Sequence, residues 1–172
     1  MKENLINHPT LFLRYAVEGD EAEIISLIEG IADYENMRDD VVATPEILNE
    51  WMFKQKTAQC ILAYEGETLI GYVLYFFNFS TFLGRAGLYL EDLFVFPDYR
   101  GKGYGKILFQ FLANVAHERG CGRMEWSCLD WNQPSIDFYR SMGAISMDGW
   151  SVYRLSDETL KNAAHSPKVH KN

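Results

Sequence analysis

The sequence has few cysteines, five prolines and no long apolar run. Its three cysteines, Cys60, Cys121 and Cys128, form no Cys-x-x-Cys pair, and such an odd set indicates neither a disulfide framework nor a zinc site. No apolar run reaches the ~18–20 residues that a membrane span needs. The N-terminus does not have the basic-then-apolar layout of a signal peptide. We therefore predict a cytoplasmic protein with no membrane partner and no metal.

Positive charge is also scarce. Lys and Arg total 16 against 24 Asp and Glu, which gives a net charge of −8. This balance argues against a nucleic-acid partner and is mildly consistent with a small cationic substrate. With 172 residues, 48% of them hydrophobic, the chain is long and apolar enough for one domain with a sizeable core. We expect a single domain over residues 1–172, with a folded core at 10–156 and a C-terminal helix and polar tail at 157–172.

The spacing of apolar residues predicts alternating strands and helices. We expect Asp20 to cap the first helix, with Glu23 three positions on, and Thr44 to cap the second helix, which Pro45 opens. We expect residues 78–87 to form a loop. Strands are predicted at 11–17, 60–64, 69–77, 89–96, 123–128 and 150–155, and helices after Asp20, after Thr44, over 107–116 and over 132–142.

A glycine-dense turn joins the strand at 89–96 to the helix at 107–116. The turn carries Gly101, Gly103 and Gly105, and glycine lets the backbone adopt positive φ and lets a ligand come close. The unpaired amides at the start of the following helix point into one small space, where they and the helix dipole favour a phosphate. The sequence therefore predicts a phosphate-binding loop.

Four kinds of loop can be compared with this sequence. A Walker A loop needs Lys followed by Ser or Thr, but Ile107 follows Lys106. A Rossmann fingerprint needs a glycine at position 106, and Glu125, about 20 residues further on, is weak support for it. The run Arg100-Gly101-Lys102-Gly103-Tyr104-Gly105 resembles the Arg-x-x-Gly-x-Gly/Ala turn of the GNAT superfamily of N-acetyltransferases, which cradles the pyrophosphate of acetyl-coenzyme A. An ordinary glycine-rich connector is the fourth possibility.

Tyr139 is a candidate general acid. It lies seven positions after Asn132, about two helical turns, so both residues can face one side of the helix. Acyl transfer from a thioester releases a thiolate, and the thiol it becomes has a pKa near 8.5. A tyrosine hydroxyl can hydrogen-bond that sulfur and protonate it. The alternative is an aromatic anchor in the core beside Phe138.

Glu91 and Asp92 stand in an otherwise apolar strand. Strand alternation predicts that their side chains point to opposite faces, and acids in a central strand are costly to bury without partners. A primary amine (pKa ~10) must lose a proton before it attacks a thioester. Glu91 can attract that cation and take its proton, directly or through water. The alternative is a solvent-facing acid pair at a strand end.

The backbone of Leu93, Phe94 and Val95 is a third candidate feature. Ladder pairing must stop at Pro97, because proline has no N–H. If the strand parts from its neighbour here, free amides can pair with the pantetheine arm and the thioester carbonyl, and one of them can stabilise the oxyanion. An ordinary strand exit is the alternative.

Three segments together resemble the diamine acetyltransferases, that is, spermidine/spermine N-acetyltransferase and its thialysine-acetylating relatives. They are Tyr89-Leu90-Glu91-Asp92, the turn from Asp98 to Gly105, and Trp131-Asn132-x-Pro134-Ser135-Ile136-x-Phe138-Tyr139. The resemblance implies an α+β fold, an α/β/α sandwich whose mixed, mostly antiparallel sheet contains a splayed parallel pair and is flanked by helices. It also implies a homodimer and acetyl-coenzyme A as co-substrate, with no metal.

The same resemblance assigns residues to roles. It implies Tyr139 as the general acid and Glu91 at the acceptor amine, with Asp92 beside it. Tyr34-Glu35 matches the family's acidic position after the first helix, and Asp148 stands where the family has a glutamate. The implied coenzyme-binding residues are Leu93, Phe94, Val95, Arg100, Gly101, Lys102, Gly103, Tyr104, Gly105, Lys106, Asn132, Gln133, Pro134 and Ser135.

The expected function is transfer of acetyl from acetyl-coenzyme A to a primary amine of a small polyamine or diamine, by direct attack in a ternary complex. Asp148 is one methylene shorter than the family's glutamate, so a shorter diamine or a lysine analogue such as thialysine fits nearly as well. Other acceptors with the same fold are a protein N-terminus and an aminoglycoside. A non-catalytic acyl-coenzyme A sensor is the alternative from another class.

Overall fold

The computed structural model describes residues 4–164. The chain forms two compact units, one ending at Ser127 and the other beginning at Cys128. The first unit holds a sheet and three helices, and the second holds two helices. The single domain expected over 1–172 stays a prediction.

The sheet has five strands in sequence order. The first four are antiparallel neighbours and the fifth pairs in parallel with the fourth. The predicted α+β fold with a mixed, mostly antiparallel sheet is confirmed. The strands are β1 (Leu11–Tyr15), β2 (Gln59–Glu65), β3 (Thr68–Ser80), β4 (Arg85–Val95) and β5 (Met124–Glu125).

Helices occupy the connections. In the first unit these are α1 (Glu21–Glu35), α2 (Pro45–Leu48) and α3 (Tyr104–Glu118), and in the second α4 (Gln133–Ser141) and α5 (Asp157–Ala163). As predicted, the hydroxyl of Thr44 accepts from the Ile47 amide and caps α2, which continues as a π-helical turn, Asn49–Lys54. Helix α5 lies in the predicted C-terminal helix, whereas residues 165–172 of the predicted tail lie outside the described residues.

Two helices cover opposite faces of the sheet. Ile24 and Leu27 of α1 pack in a buried cluster with Leu62, Tyr72 and Phe94 of the strands. Helix α3 contacts β3 and β4 but contributes nothing to that cluster, and its own buried stripe includes Leu108 and Leu112. The sheet is therefore buried between helices, which is why its central strands are almost continuously apolar.

The start of α1 differs from the sequence prediction. Asp20 makes no side-chain capping bond to the helix. Its carboxylate instead accepts from the buried Arg14 guanidinium at 2.5 and 3.0 Å, and from the Val17 amide. Glu23 accepts from Arg14 and from the Tyr64 hydroxyl. A buried guanidinium needs carboxylate partners. Asp20 and Glu23 therefore pair with Arg14 instead of forming the predicted capping box.

The predicted loop at 78–87 is wrong over most of its length. Strand β3 runs to Ser80 and β4 begins at Arg85, so a four-residue turn joins a long hairpin. Phe77, Asn78 and Phe79 all pair with β4. The apolar alternation of these strands continues past Asn78, and Asn78 and Gly87 face each other as one pair.

The strand predicted at 150–155 is also wrong. These residues have no regular secondary structure, and Trp150, Val152 and Tyr153 are 74, 84 and 92% exposed. A strand is stable only beside a neighbour, and within residues 128–164 there is no other strand. The strand predicted at 123–128 forms as the two-residue β5, parallel to β4 as expected.

Within residues 4–164, no helix has the length and apolar character to cross a membrane. The cytoplasmic location stays a prediction.

Candidate active site

The glycine turn adopts the conformation that its sequence predicts. After β4, Pro97–Tyr99 forms a short 3₁₀ turn. Gly101 and Gly103 have φ of +78° and +84°, values that favour glycine. Gly103 is the residue before α3, and its carbonyl accepts from Ile107 to close the first helical turn. We call residues 101–106 the glycine nest.

The space in front of the glycine nest is open. A Cβ built on Gly101, Gly103 or Gly105 would have no heavy atom within 4 Å. The amides of Tyr104, Gly105 and Lys106 lie in the first turn of a 15-residue helix, where the helix offers them no acceptor. The nest therefore fits an anionic group such as the diphosphate of a coenzyme.

Two side chains of the nest contact Glu65 of β2. The Lys102 ammonium lies 2.9 Å from both carboxylate oxygens of Glu65, and the Tyr104 hydroxyl donates to the same carboxylate. These contacts hold the pKa of Glu65 below its usual value, mainly through the Tyr104 hydrogen bond and then that from Lys102. Sequence reasoning missed Glu65, because its place at the end of β2 gave no signal of contact with residues so far along the chain.

Arg100 also holds the loop. Its Nε donates to the Val95 carbonyl at 2.8 Å, and its guanidinium lies 4.5 Å from the centre of the Tyr34 ring. A cation over an aromatic face is attracted by the ring. Two of the predicted site residues, Arg100 and Tyr34, thus meet each other and join the end of α1 to the nest.

β4 parts from β5 beside the nest. Their ladder consists of the pairs Leu88–Met124 and Tyr89–Glu125, whereas β4 continues to Val95. The Phe96 amide donates to Ile70 of β3, and hydrogen-bonding groups alternate along a strand. The N–H groups of Leu93 and Val95 therefore face away from β3, toward the open edge. The predicted splayed parallel pair is confirmed.

A β-bulge lies at Glu91. Leu74 of β3 pairs with Asp92 and Tyr75 pairs with Leu90, so Glu91 is an extra residue on β4. A bulge interrupts alternation and re-aims side chains. The expectation that strand alternation sends Glu91 and Asp92 to opposite faces stays a prediction. Glu91 is exposed, whereas Asp92 is half-buried.

Asp92 is held by a buried tyrosine. The Tyr72 hydroxyl donates to its carboxylate at 2.8 Å. Burial raises the pKa of Asp92 to about 6, the Tyr72 hydrogen bond opposes that rise, and the negative charges of Glu91 and Glu35 add to it. The pKa of Glu35 is itself raised by burial. We call the carboxylates of Glu35, Glu91 and Asp92 the acid group. They are the three predicted acidic site residues of the first unit.

Helix α1 lies very close to β4. A Cβ on Gly30 would lie 2.9 Å from ring atoms of both Phe94 and Phe96, so the helix backbone packs directly on these rings. Glu35 follows one and a half turns later at the end of α1. This close packing explains how a carboxylate from a distant part of the sequence influences Asp92.

The remaining predicted residues belong to the second unit, and their roles stay predictions. The Asn132 side chain caps α4 by accepting from the Ser135 amide at 3.3 Å, and Gln133 donates to Asp137 one turn on. Tyr139 is half-buried, with its ring centre 5.3 Å from that of Phe138. Asp148 is exposed and accepts from the Ser146 hydroxyl. Among residues 4–164, no group of three or more His, Cys, Asp or Glu is arranged to hold a metal.

The raised pKa of Asp92 predicts a pH-dependent gain in stability from Asp92→Asn. The folded protein binds this proton with a pKa of about 6, against an ordinary 3.8, so stability falls as pH rises from about 4 to 6. Asparagine keeps an acceptor for Tyr72 and has no charge to bury. We expect its free energy of unfolding at pH 8 to exceed that of the unmodified protein by about 3 kcal/mol.

Urea unfolding at pH 4, 6 and 8 measures this gain, which should shrink toward pH 4. Asp98→Asn, at an exposed position of the 3₁₀ turn, controls for the loss of one surface charge. A gain that does not vary with pH would contradict the assignment of this carboxylate as a destabilising buried charge.

Comparison with known proteins gives the same family over most of the chain. The model of the Acetyltransferase (GNAT) family matches residues 20–144. A thialysine N-epsilon-acetyltransferase of Bos taurus is 34% identical over 166 residues, which cover 90% of this chain and 97% of that protein. A spermidine/spermine N(1)-acetyltransferase-like protein of Homo sapiens is 31% identical over 163 residues, covering 88% of this chain and 23% of that longer protein.

A solved structure agrees on the fold. An integron cassette protein from the mobile metagenome of V. cholerae superimposes with a TM-score of 0.78 at 24% identity, covering 92% of this chain and all of that one. The glycine nest, the parted strands and the matched residues lead to one conclusion. The chain belongs to the GNAT family of acetyltransferases, which use acetyl-coenzyme A as co-substrate.

Proposed function

We propose that this protein transfers the acetyl group of acetyl-coenzyme A to a primary amine of a small polyamine or diamine. The observation that carries the proposal is the acid group, in which Glu91 and Asp92 of β4 interact with Glu35 of α1. A cationic amine is attracted to such a group, and the glycine nest follows the same strand. The transfer is direct, since no cysteine lies in the motifs to carry a covalent acetyl group.

Coenzyme binding in this proposal uses main-chain donors. The glycine nest takes the diphosphate, and the free N–H groups of Leu93 and Val95 take the pantetheine arm and the thioester carbonyl. An N–H aimed at that carbonyl stabilises the negative charge that develops on its oxygen. The family resemblance also assigns Asn132 to Ser135, at the first turn of α4, to coenzyme binding.

The chemistry divides between a carboxylate and a phenol. Glu91 attracts the ammonium and takes up its proton, directly or through water, and the neutral nitrogen attacks the thioester carbon. A C–N bond forms and the C–S bond breaks. Tyr139 donates its proton to the departing thiolate. Tyr34 and Asp148, with the acid group, are the proposed residues around the substrate.

A lysine analogue such as thialysine is a second candidate acceptor. The similarity to thialysine N-epsilon-acetyltransferases over 90% of the chain favours it. The acid group favours the opposite choice, because thialysine carries a carboxylate that an anionic surface repels. The two candidates differ in this one chemical feature, so one matched pair of substrates distinguishes them.

The experiment measures thiol release from acetyl-coenzyme A with graded amines. The panel contains putrescine, spermidine, thialysine, the diamine left when thialysine loses its carboxylate, an aminoglycoside and a peptide with a free N-terminus. We expect the highest kcat/KM with a diamine, and higher for decarboxylated thialysine than for thialysine. The reverse order would indicate that the acceptor is thialysine and not a diamine. Coenzyme binding without turnover on any amine would indicate a sensor and end the proposal.

Tyr139→Phe tests the general acid. Phenylalanine keeps the ring beside Phe138 but removes the proton donor, so kcat should fall about 10²–10⁴-fold with little change in the dissociation constant of acetyl-coenzyme A. Tyr153→Phe is the matched control, because Tyr153 lies in the same unit and is 92% exposed. An unchanged kcat in Tyr139→Phe would remove this residue from its role.

We also propose that the protein is a homodimer. The irregular segment 145–155 exposes apolar side chains, among them Val152 at 84%, and a second copy of the chain could cover them. Val152→Glu should shift the mass measured by light scattering toward the monomer. Val42→Glu is the matched control, because Val42 is 81% exposed on the first unit. A monomeric unmodified protein, or equal effects of both variants, would contradict a dimer formed by this segment.

A further inference from the structure

Asp92 lies beside Glu91 but has no chemical step in the proposed reaction. It directly follows the bulge residue Glu91 and directly precedes Leu93, whose N–H faces the open edge of β4. If the thioester carbonyl binds to the Leu93 N–H, the amine that attacks it reacts beside the residue that directly precedes Leu93, which is Asp92. Glu91, which is exposed, and Asp92, which is half-buried, are thus consecutive residues at the bulge.

The surroundings of Asp92 suit a group that must accept and release a proton. Tyr72, fully buried on β3, donates to the carboxylate and fixes its orientation. Glu35 from α1 and Glu91 from β4 act on it through their negative charges. Cys60 from β2 also interacts with Asp92, but burial raises the pKa of this thiol so far that it stays neutral. No cationic side chain among the described residues is a partner of this carboxylate.

We propose that Asp92 is the final acceptor of the proton that the amine loses, with Glu91 as the group through which the proton arrives. This inference rests on the proposed function. The N–H bond of the ammonium breaks and an O–H bond forms on Asp92, while the nitrogen lone pair forms the C–N bond. The C–S bond breaks, and the thiolate takes the proton of Tyr139. Release of the Asp92 proton to water, and reprotonation of Tyr139, restore the protein.

The raised pKa supports this assignment. A carboxylate with a pKa of about 6 is a stronger base than an ordinary one and is still mostly ionised at pH 7, which is the compromise that general-base catalysis favours. The burial that makes ionised Asp92 destabilising at pH 8 is also what makes this carboxylate basic. The burial of Asp92 therefore lowers the stability of the folded protein and also gives this carboxylate the basicity that proton transfer requires.

The test is the pH dependence of kcat/KM with the best amine of the panel. The unmodified protein should lose activity as pH falls through about 6. Asp92→Asn should lose about 10²–10⁴-fold in kcat/KM, together with this acidic limb. Glu91→Gln should lose rate but keep the limb, because it removes the entry group and not the acceptor. Loss of the limb in Glu91→Gln and its retention in Asp92→Asn would overturn the proposal.

Two neighbours allow a sharper test, because they shift the limb in opposite directions. Tyr72→Phe removes a hydrogen bond that favours the charged form, so the pKa of Asp92 rises and the limb moves to higher pH. Glu35→Gln removes a negative charge, so the pKa falls and the limb moves to lower pH. A purely structural role would not produce opposite shifts. Shifts in the same direction, or none, would count against Asp92.

Failure of this inference is distinguishable from failure of the proposed function. If the unmodified protein turns over no amine, the function fails and the inference fails with it. If the protein is active but Asp92→Asn retains the acidic limb, only the inference fails. The urea unfolding of Asp92→Asn shows independently that the variant is folded, so that a loss of activity is a loss of chemistry.

Discussion

The parting of β4 from β5 after Tyr89 is the constraint on which the rest of this site depends. Two parallel strands that paired along their full length would consume every N–H on their shared edge. Here the pairing covers two residues, and β4 extends six residues beyond it. Those six residues carry the bulge, the acid pair and the free amides. The open edge is thus a region of unused backbone donors within an otherwise buried sheet.

The parted strand is kept in place by contacts on its other side and beyond its end. β3 pairs with β4 as far as Val95, and the Gly71 backbone lies so close to Phe94 that a Cβ there would be 2.4 Å from its carbonyl oxygen. Helix α1 packs directly on Phe94 and Phe96 at Gly30. The Arg100 guanidinium then joins Val95 to Tyr34. An edge supported in this way can leave its amides unpaired without fraying, which a binding site for a flexible coenzyme requires.

The parts of the molecule that were predictable from sequence are those governed by local chemistry. The glycine nest and α3 follow from glycines at positions of positive φ before an amphipathic helix, and the hairpin of β2 and β3 follows from its turn. The failures depend on tertiary contacts and strand register. Asp20 pairs with Arg14 instead of capping α1, Glu65 reaches Lys102 across 37 positions, and the bulge at Glu91 depends on the register with β3. The apolar pattern at 150–155 correctly marks residues that favour burial, but it does not say what would cover them.

The charges of the site explain why main-chain dipoles, and not cationic side chains, are suited to the coenzyme. Lys102 is already neutralised by Glu65, and Arg100 is engaged by Val95 and Tyr34. A strong cation directed at the diphosphate would also act on the acid group, lowering the pKa of Asp92 and repelling a cationic amine. Amide dipoles bind an anion at short range, and their field declines faster with distance than that of a full charge. Under the proposed function, an anionic co-substrate and a cationic one therefore bind along the same strand, each in a field of the opposite sign.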